Sequence, residues 1–183
     1  DQPNDTHWED HWPHQKGRPI TDFLVFRNYY AVAYRELGLP KIFVQEKATN
    51  DIHDIILDQD DYNLYPIQGT EWDSDILRFG YSSLKTPSTI YDYNMKSRTR
   101  ILQKQSEVLG SFSEEQYVTR RIYAQASDGV LIPISLVHRS DIEIDQSTPL
   151  YLYGYGAYGI VVESDFSSVM LSLLDRGFIF AVA

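Results

Sequence analysis

The sequence predicts a mixed fold: β-propeller blades, built as antiparallel four-stranded repeats, over residues 1–110, then the opening strands and helix of an α/β domain over residues 111–183. Three features predict it. A spacing of β-forming residues recurs after 47 positions, the composition changes near Gly110, and a strand–helix–strand pattern fills residues 150–183.

The repeat comes first along the chain. Tyr34, Leu37, Pro40 and Phe43 fall on Tyr81, Leu84, Pro87 and Ile90, sharing the pattern Y-x-x-L-x-x-P-x-x-[FI]. Polar turns at 48–51 and 94–99 follow the two copies. Apolar periodicity and β-branched or aromatic content place strands at 22–26, 29–36, 41–46 and 52–57, and again at 64–68, 76–82, 88–94 and 99–104. A four-stranded antiparallel unit returning at about 40–50 residues is the signature of a propeller blade, and two blades cannot close a ring. The chain is therefore expected to be an internal piece of a longer protein. Its open strand edges predict self-association, because unpaired edges recruit other chains.

Beyond Gly110 the pattern changes. YVTRRIYAQA and VLIPISLVHR flank Ser127-Asp128-Gly129, a hairpin signal, since glycine accepts the positive φ that a tight turn requires. A polar loop at 140–148 leads to LYLY at 150–153, wholly apolar as in a sheet covered on both faces. In the segment 167–176, positions 169, 170, 173 and 174 are apolar at helical spacing, and Gly177 follows as a C-terminal cap. FIFAVA at 178–183 reads as a buried strand.

Composition excludes several classes. The chain has 26 acidic and 16 basic side chains, a net charge of −10, and no cysteine. Without cysteine, no disulfide scaffold or thiolate metal site can form. No stretch is long and apolar enough for a membrane-spanning helix. An isoelectric point near 4.8 argues against nucleic-acid binding, which concentrates Lys and Arg against phosphates, and favours cationic partners. The first twenty residues lack the apolar core of a signal peptide, which favours a cytoplasmic location, the natural start of the protein being expected upstream.

Residues 153–159, YGYGAYG, hold G-x-G-x-x-G at Gly154, Gly156 and Gly159 directly after a predicted strand. A dinucleotide site needs a helix to open at these glycines, so that its first amides meet the pyrophosphate. Here β-branched Ile160, Val161 and Val162 follow instead, which makes a dinucleotide-binding oxidoreductase the weaker alternative. A tyrosine held by glycines at the carboxyl end of a strand can donate to an oxyanion as charge develops on an attacked carbonyl. The same three tyrosines can equally be aromatic packing in a tight turn. Glu163 and Asp165, just past this loop, are candidate paired carboxylates, whereas Asp73 and Asp75 read as a solvated turn. His7, His11 and His14 have i, i+4, i+7 spacing, but Pro13 and polar neighbours favour a solvated loop over a metal site. No G-x-S-x-G elbow occurs, so no nucleophile, base and acid set can be assigned.

RFGYSSLKTPSTIYDYNM (78–95), SDGVLIPISLVHRSD (127–141), PLYLYGYGAYGI (149–160) and SLLDRGFIFAVA (172–183) resemble the prolyl oligopeptidase family of serine peptidases, in particular its branch acting after arginine or lysine. The resemblance implies a seven-bladed propeller over an α/β-hydrolase domain, with residues 1–110 as the last two blades and 111–183 as the start of the catalytic domain. It implies that Tyr155 supplies its hydroxyl to an oxyanion hole. It also implies that Glu163 and Asp165 form an acidic pair lining the pocket for the residue before the cleavage-site residue, with glutamate standing at 163 where an aspartate is usual. Short cationic peptides are the implied substrates of a cofactor-free, metal-free parent. The triad serine, aspartate and histidine are implied to lie downstream, which predicts that this chain alone is inactive. A non-catalytic propeller interaction module remains the alternative.

Overall fold

A computed structural model describes residues 8–183. Three four-stranded sheets follow one another along the chain. The first holds β1 (Ile20–Val25), β2 (Tyr29–Glu36), β3 (Leu39–Glu46) and β4 (Ile52–Asp54); the second holds β5 (Asn63–Ile67), β6 (Ile76–Ser82), β7 (Thr89–Asn94) and β8 (Thr99–Gln105). In both, each strand pairs antiparallel with the next, the arrangement of a propeller blade. β4 is shorter than the predicted 52–57, ending at Asp54, although Ile55 N still donates to Ile42 O at 2.9 Å and its side chain is buried in the core.

The repeat holds at the level of whole strands, but its matched positions are not all equivalent. The β2–β3 hairpin is closed by Leu37 and Gly38, both at positive φ (51° and 78°), the two-residue turn whose twist suits a hairpin. The β6–β7 connection runs over the longer segment 83–88. Leu37 therefore stands exposed on a turn tip, whereas Leu84 is buried. One blade spends its leucine on a turn and the other on a core, a difference that four-residue spacing does not reveal.

Both sheets contribute to one core. Ala31, Ala33, Ile42 and Val44 of the first pack with Leu64, Leu77, Phe79 and Tyr93 of the second, each fully buried large side chain contributing about 1.5–3 kcal/mol. Over residues 8–19 the chain is irregular rather than helical. Trp12 docks there on the first sheet, edge-on to Tyr30 (5.2 Å) and Phe43 (6.0 Å), with its Nε1 donating to Gln45 Oε1 at 2.8 Å. Of the three spaced histidines, His7 lies outside the described residues and His11 packs on Trp12 and Tyr30. Among the described residues no cluster of three His, Asp or Glu side chains is placed to hold a metal.

The third sheet has the order β11-β12-β10-β9, from β9 (Tyr117–Gln125), β10 (Leu131–Arg139), β11 (Leu150–Tyr153) and β12 (Ile179–Val182). The β9–β10 hairpin turns where Asp-Gly predicts: Gly129 has φ 86° and Ala126 N donates to Val130 O at 2.8 Å. β11 and β12 are parallel and joined through the short helix α1 (Ser168–Leu174). α1 ends at Gly177, φ 84°, where the amides of Gly177 and Phe178 satisfy the carbonyls of Leu174 and Leu173. A second core, built on Leu84, Tyr117, Val137, Leu174 and Phe180, seats α1 on β12 and β10. β12 is buried as predicted, but β11 is exposed at all four positions. The core contacts of α1 fall on β10 and β12, and no β11 side chain belongs to that core. No helix among the described residues is long and apolar enough to cross a membrane.

Candidate active site

Tyr155 stands just past the end of β11, beside the end of its parallel partner β12. Ala183 N donates to Tyr153 O at 3.0 Å, and a Cβ placed on Gly154 would lie 3.2 Å from Ala183 O. The close approach of two strand ends thus explains that glycine. Tyr155 is 46% exposed, and its hydroxyl makes no hydrogen bond among the described residues. It lines a cleft of about 220 Å³ together with Tyr62, Arg121, Ser135, Glu163 and Ala183. Burial pushes the Tyr62 hydroxyl up to about 12. α1 opens only at Ser168, well past Gly159, so the three glycines do not feed a helix N-terminus and the dinucleotide geometry is missing.

Glu163 and Asp165 flank buried Ser164 in an irregular segment. The two carboxylates meet different partners from the blades. Arg35, on β2, reaches Glu163 with both terminal nitrogens: Nη1 donates to Oε2 at 3.3 Å and Nη2 lies closer still to Oε1. Asp165 Oδ1 accepts from the neutral amide of Asn63 at 3.0 Å.

A third carboxylate holds two of the residues that line the cleft. Asp61, in the segment between the two blade sheets, accepts from Arg121 Nη1 at 2.6 Å and from Ser135 Oγ at 2.7 Å. Arg121 Nη2 also donates to Leu37 O at 2.9 Å, tying the third sheet to the β2–β3 turn. Side-chain exposure is 2% for Asp61 and 12% for Arg121, while Asp61 Oδ2 is buried without a partner. Sequence reasoning missed Arg35, Arg121 and Asp61, since each meets its partner across a distant stretch of chain. Asp73 pairs with Arg27 at 2.7 Å on the surface, in keeping with a solvated turn.

Among the described residues no serine hydroxyl is bonded to a histidine. Ser135 is committed to Asp61, His138 Nδ1 donates to Arg139 O at 2.7 Å, and His53 Nε2 meets Tyr93 Oη at 2.9 Å. The cleft therefore offers a phenol donor and the Arg35-paired Glu163 carboxylate, but no serine paired with a histidine.

The model of the "Prolyl oligopeptidase, N-terminal beta-propeller domain" family matches residues 1–106. Dipeptidyl aminopeptidase BI of Pseudoxanthomonas mexicana is 35% identical over 181 residues, 96% of this chain and 24% of that protein. Protease 2 of Moraxella lacunata is 27% identical over 166 residues, 91% of this chain and 24% of that one. Among solved structures, oligopeptidase B from Trypanosoma brucei with covalently bound antipain superposes with a TM-score of 0.85 at 34% identity, covering 93% of this chain and 25% of that one. Oligopeptidase B from Leishmania major gives 0.85 at 32% identity over the same shares. The chain thus spans about a quarter of the length of these relatives. With two four-strand antiparallel sheets in its first half and this match along 1–106, the chain belongs to the prolyl oligopeptidase family.

Proposed function

We propose that the full-length parent is a serine peptidase that hydrolyses short peptides after Arg or Lys through an acyl-enzyme. In this reading residues 1–110 are the last two of seven blades, and residues 111–183 open an α/β-hydrolase domain whose serine, aspartate and histidine lie elsewhere in the parent. Tyr155 is the oxyanion-hole donor, and Glu163 and Asp165 line the pocket for the residue before the cleavage-site residue. One observation supports it most: a half-exposed tyrosine with an uncommitted hydroxyl at the carboxyl end of a parallel strand pair, in a cleft that also contains Glu163. Ligands of open α/β sheets bind at that end, and a donor aimed where charge develops is a large term in acyl transfer. The acidic excess of residues 111–183, nine carboxylates against four arginines, draws cationic peptides toward it.

Tyr155→Phe in the full-length parent tests this directly. It is expected to lower kcat by about 10²–10³, the loss typical of one oxyanion donor, with little change in KM. An unchanged kcat would reduce Tyr155 to packing. This chain alone, holding no serine–histidine pair among its described residues, is expected not to turn over an arginine chromogenic substrate.

A further inference from the structure

Glu163 and Asp165 differ in what they have left to offer a ligand. Asp165 is bonded to a neutral amide and pairs with no cation among the described residues. Glu163 faces the planar fork of Arg35, with two nitrogens on two oxygens, the arrangement in which a guanidinium binds a carboxylate best. Arg35 is itself held in place, since Nη1 also donates to Gly38 O at 3.2 Å on the β2–β3 turn. The two side chains are only 20% and 26% exposed, so solvent screens the pair less than at an open surface. An arginine arriving from a peptide needs the same two oxygens that Arg35 already occupies.

We propose that Arg35 is a specificity-determining residue that stands where a basic substrate side chain would bind Glu163. Of the two carboxylates, that leaves only Asp165 without a cationic partner among the described residues. This rests on the peptidase reading above. The parent then discriminates weakly in favour of a second basic residue, although its sequence displays two acids there, and the blade rather than the catalytic domain sets that limit. A blade residue thereby tunes a pocket whose acids come from a segment 128 positions along the chain.

The test uses the full-length parent and two chromogenic peptides ending in arginine, one with arginine and one with glutamine before it. The readout is the ratio of their kcat/KM values. Arg35→Met is expected to raise that ratio about tenfold, as a freed charge-assisted bond becomes available to substrate. Adding Glu163→Gln to Arg35→Met is expected to erase the gain. Arg35→Lys, which keeps the charge but loses the fork, is expected to give a smaller rise and serves where the methionine variant folds poorly. A ratio that stays put in Arg35→Met and Arg35→Lys, or a gain that survives Glu163→Gln, overturns the proposal. Failure of the underlying reading looks different: the wild-type parent then cleaves neither arginine peptide while cutting others, and the assignment to Arg35 falls with it.

Discussion

Replacing Arg121 by methionine removes one partner from a buried ion pair and leaves the other in place. Asp61 is 2% exposed and its Oδ2 has no partner even with Arg121 present, so the carboxylate left behind keeps only the Ser135 hydroxyl. Losing one member of a buried pair costs about 3–5 kcal/mol, because a buried charge goes uncompensated. The lost bond to Leu37 O adds little, since that carbonyl sits on an exposed turn tip that water can reach. Replacing both partners, Asp61→Leu with Arg121→Met, removes the charge altogether. The remaining cost is then the orphaned Ser135 hydroxyl, about 1–3 kcal/mol, and the double variant is expected to be more stable than the single one. Urea unfolding of the 183-residue chain, followed by tryptophan fluorescence and far-ultraviolet circular dichroism, measures both. A single-variant loss below about 1 kcal/mol would mean that water already solvates Asp61, and a double variant as unstable as the single one would refute the account of an uncompensated charge.

Two further outcomes follow from other parts of the molecule. Burial, and then the nearby Arg98 charge, hold the His53 imidazole below its usual range, so its contribution to stability is complete above the unfolded value near 6.5 and declines as pH falls through the folded value. His53→Gln, which keeps an acceptor for Tyr93 Oη, is expected to flatten the stability profile just below about pH 6.5; an unchanged slope would remove His53 from the acid response. The apolar edge strand β11, exposed at all four positions, together with the outer edges of the blade sheets, is expected to drive association of the isolated chain. Sedimentation velocity over a tenfold concentration range reads this, and a single monomeric species throughout would contradict it.

Strand existence was legible in the sequence because alternation and β-rich composition act locally. β2, β6 and β11 have the bounds that the pattern predicts, and the Asp128-Gly129 turn forms where glycine permits a positive φ. The family likeness was legible too, since YGYGAYG and SLLDRGF are contiguous. Tyr155, Glu163 and Asp165 could be named from those stretches, but their surroundings could not. Nothing in the local pattern distinguishes Leu37 on a turn tip from Leu84 in a core, or Glu163 held by a guanidinium from Asp165 held by an amide.

The chain by itself determined its strands, its charge balance, its lack of thiol chemistry and its kinship, all of which depend on residue type and near neighbours. Tertiary structure alone decided which charges cancel. Arg35 meets Glu163 and Arg121 meets Asp61 only after three sheets have packed, because Coulomb and hydrogen-bond terms follow distances in space that sequence separation does not encode.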